Sequence, residues 1–220
     1  MKKKLSKKNI VITGASGDIA QALIQRLEGH NLILLSRSLP QPVIPEKVDI
    51  LINNAGFGEF AELSNLSDEQ IDEMFKVNTL DLIKRTRDLR PELQVINIAS
   101  IAGKLPTAKS TVYAASKAAV LAFSDALRLE NPNLIVTTVN TGPVRTKFHK
   151  DNVDYLEKVG ENAVSAEYVA DKIEQVLGKK KREVNLPVQL AFVAKIRALF
   201  PSLVDNIGNR FFNYADCKIK

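Results

Sequence analysis

A doubly wound parallel α/β sheet is the fold class this sequence predicts, and three observations predict it. The apolar run Asn9–Thr13 ends in a glycine turn, Gly14-Ala15-Ser16-Gly17-Asp18-Ile19, after which Ala20, Leu23, Ile24 and Leu27 recur at helical spacing. Further short apolar runs, at Asn31–Leu35, 48–53 and Gln94–Ser100, read as buried strands. Longer stretches at 67–90 and 111–129 read as helices, so strands and helices alternate as they do where a parallel sheet is covered on both faces.

The elements follow in order. The first strand, the glycine turn and the first helix make a unit whose backbone N–H groups and helix dipole face a pyrophosphate. Asp18 is expected to cap that helix, although its charge opposes an anion there. His30 falls in the turn before the second strand, which ends in Ser36-Arg37-Ser38. Only Leu39 to Lys47 then separates it from the strand at 48–53, too short for a crossover of about a dozen residues. About nine extended residues reach roughly 30 Å, enough to run back along one strand and pass one neighbour. Pro40, Pro42 and Pro45 stiffen such a link, so the second strand is expected to form the sheet edge. After Gln94–Ser100 come the helix at 111–129 and a strand at 133–140. The tail from Val184 starts as a strand, breaks at Pro187 and continues as an apolar helix.

Composition sets limits. A chain of 220 residues with 45% hydrophobic residues is expected to form one domain, 1–220, with 184–220 as an apolar tail. The single cysteine, Cys217, excludes an internal disulfide framework, and His30 and His149 lie far apart, so no metal site is expected. No apolar run approaches the roughly 20 residues that span a bilayer, and Met1 to Lys8 lead straight into the first strand, so the reducing cytosol is the expected compartment. The net charge of +6 is concentrated at Lys2 to Lys8 and at Lys179-Lys180-Lys181-Arg182. Without aromatic interleaving these runs do not make a nucleic-acid surface; an anionic cofactor or membrane explains them more simply.

The chemistry centres on Tyr113 and Lys117, four residues apart on one helix face, and on Ser100 at a strand end. A neighbouring ammonium is expected to favour the phenolate and bring the phenol toward neutral pH as a general acid/base. Ser100 adds a hydroxyl able to hold a substrate oxygen beside it. The set suits proton transfer to or from a carbonyl or alcohol oxygen.

These residues stand in an ordered series. The glycine turn is followed by Asn53-Asn54-Ala55-Gly56, Phe75-Lys76-Val77-Asn78, Ser100, Tyr113 to Lys117, and Asn140-Thr141-Gly142-Pro143-Val144-Arg145-Thr146. The series resembles the short-chain dehydrogenase/reductase family from about Lys8 to Thr146. The resemblance implies a Rossmann-like fold and reversible hydride transfer between a nicotinamide and a small-molecule carbonyl/alcohol pair. By the same resemblance Tyr113 is the acid/base and Ser100 orients the substrate oxygen. Lys117 binds the ribose and shifts the tyrosine pKa, and Asn78 holds a water of the proton relay. Gly14, Ser16, Gly17 and Ile19 cradle the pyrophosphate, Asn54, Ala55 and Gly56 line the ribose, and Gly142, Val144 and Thr146 lie over the nicotinamide. Arg37, where NAD-using sites place an acid, favours NADP. A homo-oligomer built on the 67–90 and 111–129 helices is implied likewise.

The chain also departs from the family. A typical member carries a crossover helix, a third strand and another helix where this chain has Leu39 to Lys47, so the third strand is expected to be missing and part of one sheet face uncovered. Asp18 and Ala20 stand at family glycines and Thr141 at a family proline. The mobile substrate lid would fall at 148–165. In the tail, Phe192, Ile196, Leu199 and Phe200 repeat at helical spacing beside Lys195 and Arg197, which suits docking on the domain, on a partner subunit or peripherally on a membrane. The leading reading is an NADP-dependent oxidoreductase. The alternative is a non-catalytic relative that binds a nucleotide or a partner through a reduced cofactor site.

Overall fold

The computed structural model describes residues 6–149 and 163–211. Six strands form one sheet: β1 (Asn9–Thr13), β2 (Asn31–Leu35), β3 (Ile50–Asn53), β4 (Gln94–Ser100), β5 (Ile135–Thr141) and β8 (Glu183–Leu186). Their order is β2-β1-β3-β4-β5-β8 and every pairing is parallel. A second, two-stranded sheet joins β6 (Val144–Arg145) to β7 (Val164–Ser165).

The strands are apolar on both faces because both are covered. Ile10, Ile12, Ile50, Ile52 and Ile96 point into one core with Leu23 of α1 (Asp18–Arg26), Leu27 at its C-cap, and Val169 and Ile173 of α5 (Ala166–Val176). On the other face Val11, Ile33, Leu35 and Leu51 pack with Leu89, and Leu82 packs with Ala99 and Val120. Leu82 and Leu89 lie on α3 (Asp81–Leu89), and Val120 lies on α4 (Thr111–Glu130).

The second strand is the sheet edge, and β3 pairs with the far side of β1, as the short link requires. No strand is formed by residues 36–49 before β3. The link is fastened at its end, where Asn9 donates to the Lys47 carbonyl at 2.9 Å and the Asp49 carboxylate accepts from the Asn9 N–H at 2.9 Å and the Lys8 ammonium at 3.2 Å. The sheet face is less bare than the deletion suggests. Ile33 and Leu35 stay buried because Leu89 reaches them from α3, and the exposed apolar surface falls on the link itself, at Val43.

The long helix expected at 67–90 is present with one irregularity. Ser67 caps α2 (Asp68–Phe75) in a reciprocal capping box with Gln70. A π-turn, Lys76–Leu80, then passes the chain into α3. The tail crosses the cis Leu186–Pro187 bond into α6 (Val188–Leu199) and α7 (Pro201–Phe211). No described helix is long and apolar enough to cross a membrane.

Candidate active site

The C-terminal ends of β1, β3, β4 and β5 bring the predicted residues to one edge of the sheet, where open α/β sheets bind ligands. At the end of β1, Gly14 turns with φ +62°, and a Cβ there would lie 2.7 Å from the Ala55 backbone. Only glycine fits both demands. The Asn54 side chain donates to the Thr13 and Gly14 carbonyls at 3.2 and 3.1 Å, while Thr13 Oγ1 accepts from the N–H groups of Asn54 and Ala55, both at 3.0 Å. The glycine turn and the Asn53–Gly56 loop are thereby one unit. Thr13 was readable as a strand terminus, but nothing in its spacing marked it as the clasp. Behind it, Asn53 donates to Asn97 on β4 at 2.9 Å and to Thr86 on α3 at 3.2 Å.

Gly17, not Asp18, is the N-cap of α1. Asp18 is the first helical residue, and its carboxylate accepts instead from the Lys147 N–H at 2.7 Å. Ile19 packs against the core beneath the turn. Ser16, Ser36 and Ser38 form a chain of hydroxyls at 3.0 Å spacing, and beside it Arg37 pairs with Glu73 at 3.2 Å with its guanidinium 87% exposed. On the opposite side the Gly142 N–H donates to the Leu186 carbonyl at 2.6 Å, Val144 is buried in β6, and Thr146 accepts from the Phe148 N–H at 3.3 Å. Most of the expected lid lies outside the described residues.

Asn78 owes its position to the π-turn, a distortion frequent at functional sites. Its Oδ1 accepts from the Phe57 N–H at 3.0 Å, and its Nδ2 donates to the Phe57 carbonyl at 2.9 Å and to Ser116 at 3.1 Å. Ser116 in turn donates to the Tyr113 carbonyl at 2.8 Å, and Thr79 donates to the Ser116 carbonyl at 3.0 Å. The Asn53–Gly56 loop, the π-turn and α4 are joined in this way. Ser116 lies inside the Tyr113 to Lys117 run and was passed over because a helix-interior serine carries no spacing signal.

Ser100 ends β4 with its hydroxyl donating to the Thr141 carbonyl at 3.3 Å and accepting from the Ala102 N–H at 3.1 Å, and it is near enough to the Tyr113 phenol to pull its pKa down. One turn further along α4, the Lys117 ammonium donates to the Ile98 carbonyl at 3.2 Å. Gly103 lets the turn after β4 lie on α4, since a Cβ there would meet the backbone of Lys117 and Ala118 at 2.9 Å. Asn78, Ser100, Tyr113 and Lys117 are therefore neighbours, all buried.

The expectation that Lys117 draws the phenol toward neutrality is corrected here. Burial pushes the Tyr113 phenol up to about 12, against a smaller downward pull from Ser100. Burial likewise pushes the Lys117 ammonium down to about 8. The ammonium stands 5.8 Å from the centre of the tyrosine ring, and burial is the largest influence on both groups.

The geometry fits a nicotinamide nucleotide on two counts. The N-cap of α1, Gly17, carries no side-chain cap, which leaves helix N–H groups to face an anion, and a Cβ at Gly56 would come within 3.1 Å of both Asn78 Oδ1 and Lys117 Nζ, closing the space those groups face.

Known proteins are similar to this chain in sequence and fold. The family model for short chain dehydrogenase matches residues 40–157. The uncharacterized oxidoreductase YbbO of Escherichia coli K12 is 32% identical over 173 residues, covering 70% of this chain and 64% of that protein. The dehydrogenase/reductase SDR family protein 7-like of Dictyostelium discoideum is 32% identical over 180 residues, 75% of this chain and 56% of that one. The chain thus spans less than two thirds of these relatives' lengths. A short-chain dehydrogenase from Sphingobium yanoikuyae, solved in complex with NADPH, superimposes with a TM-score of 0.75 at 22% identity over 92% of this chain and 95% of its own.

Proposed function

Because this chain belongs to the short-chain dehydrogenase family, we propose that it is an NADP-dependent oxidoreductase acting on a carbonyl/alcohol pair. The observation that carries the proposal is the convergence of buried Ser100, Tyr113, Lys117 and Asn78 beside the Gly14 turn, which packs on the Asn53–Gly56 loop. The bound nicotinamide would supply or accept the hydride.

In this reading Ser100 holds the substrate oxygen and Tyr113 exchanges the proton with it. The high pKa of the buried phenol keeps that proton in place until the oxygen develops charge. Lys117 is oriented by the Ile98 carbonyl and would hold the ribose hydroxyls of a bound nucleotide. Asn78 fixes Phe57 and Ser116, and so sets the distance between the ribose loop and α4. Arg37 and the Ser16–Ser36–Ser38 hydroxyls supply donors suited to a 2′-phosphate, with Glu73 as the group the phosphate would displace. Tyr113→Phe tests the chemistry. Carbonyl reduction with NADPH should fall by about 10²-fold or more while NADPH binding persists; full activity without the hydroxyl would refute the assignment.

A second proposal concerns the tail. Val188, Phe192 and Leu199 of α6, Phe200 at its C-cap, and Leu203 and Ile207 of α7 are all exposed; α6 carries Lys195 and Arg197 and no acid, and Arg197 pairs with Asp205 of α7 at 2.7 Å. These features support peripheral contact with an anionic bilayer.

A further inference from the structure

Tyr113 lies under aromatic rings. The Phe60 ring stands 5.2 Å from it between centroids, tilted by 54°, and the Phe148 ring 5.9 Å away at 60°. The two phenylalanines also meet edge-on at 6.4 Å. Such tilted contacts are a favourable geometry for aromatic pairs. They leave Tyr113 only 8% exposed, although the proposed reaction needs its hydroxyl to reach a substrate oxygen.

The two rings are held from different sides. Phe60 stands on a turn pinned by the two hydrogen bonds between Asn78 and Phe57, and by the Glu59 N–H, which points at the Met74 sulfur at 3.5 Å. Gly58 makes this packing possible, since a Cβ there would lie 3.0 Å from ring carbons of both Phe60 and Tyr113. Phe148 belongs to the 3-10 turn Lys147–His149, whose Lys147 N–H is bonded to Asp18 at the start of α1. Met74 and Val112 are buried in the same cluster.

We infer that Phe60 and Phe148 are the specificity-determining walls of the substrate site, and that the substrate is a neutral carbonyl or alcohol bearing a flat aryl group beside the reacting carbon. This rests on the oxidoreductase reading and names its substrate class. An aryl group seated against the Phe60 and Phe148 rings gains the same kind of tilted contact that those rings make with Tyr113. A sugar or hydroxy acid does not, because its hydroxyls and carboxylate lose water among the rings and gain no partner there. In the reductive direction the carbonyl carbon gains a hydride from the reduced nicotinamide and the oxygen gains the Tyr113 proton, so the aryl ketone becomes the alcohol.

The naphthyl ketone prodan, whose emission moves to shorter wavelength in apolar surroundings, tests this on the full chain without cofactor. The expected result is a saturable shift whose Kd rises about five- to tenfold in Phe60→Ala and Phe148→Ala. The Kd should be unchanged in Phe192→Ser, whose site lies on the exposed face of α6. Phe60→Leu and Phe148→Leu keep apolar volume, remove the ring, and serve where alanine unsettles the fold; a smaller weakening is expected. Absence of a saturable shift, or a wild-type Kd in both leucine variants, overturns the inference. NADPH titration of the same proteins separates the two readings. NADPH binding without a prodan response removes the aryl inference alone, and a prodan response without NADPH binding removes the oxidoreductase reading and with it the substrate role, leaving only an aryl-binding site.

Discussion

At the scale of single residues, Lys117 sets function against stability. The residue is 4% exposed, and burial pushes its pKa from 10.5 to about 8. Between about pH 8 and 10.5 the unfolded chain therefore binds the proton that the folded chain has released. Stability from this residue consequently rises with pH across that window and is lost as pH falls through 8. Tyr113 has the opposite sign: its folded value near 12 against an ordinary 10 means stability is lost as pH rises between them. Lys117→Met should raise stability at pH 7 by up to about 3 kcal/mol, with the gain shrinking toward pH 10, as urea unfolding at both pH values would register. The same loss at both would contradict the picture of an ammonium held without water. The sequence identified both residues but not the sign of the phenol's shift, because burial depth is a property of the packed helix and not of a four-residue spacing.

At the scale of elements, the edge position of β2 was legible from chain length alone, since residues 39–47 can span a neighbour but cannot hold a crossover. The covering of Ile33 and Leu35 was not, because it depends on how far α3 reaches across the sheet. The π-turn at Lys76–Leu80 was equally hidden: one extra residue in a helix leaves the apolar spacing nearly intact, yet it aims Asn78 at Phe57. Asp18 was expected to cap α1, and only the folded approach of Lys147 gives its carboxylate another donor. The α6–α7 pair carries the membrane proposal. Full-length protein should float with phosphatidylglycerol vesicles and not with phosphatidylcholine vesicles, and Phe192→Asp with Leu203→Asp should leave it in the soluble fraction. Equal recovery with both vesicle types, or flotation of the double variant, would defeat the proposal.

At the scale of the whole molecule, the sheet carries the candidate site by aligning four strand ends, and the short β2–β3 link leaves that alignment undisturbed while leaving little structure where the proposed adenosine site would lie. Cofactor recognition is therefore where the account is most exposed. Calorimetric titration of the full chain with NADPH and with NADH is the most direct test. The account predicts that NADPH binds about tenfold or more tightly than NADH and that Arg37→Asp removes the preference, because the arginine pairs with the 2′-phosphate. Binding of neither nucleotide would contradict it and favour a non-catalytic relative; NADPH binding unchanged by Arg37→Asp would contradict the assignment of that arginine.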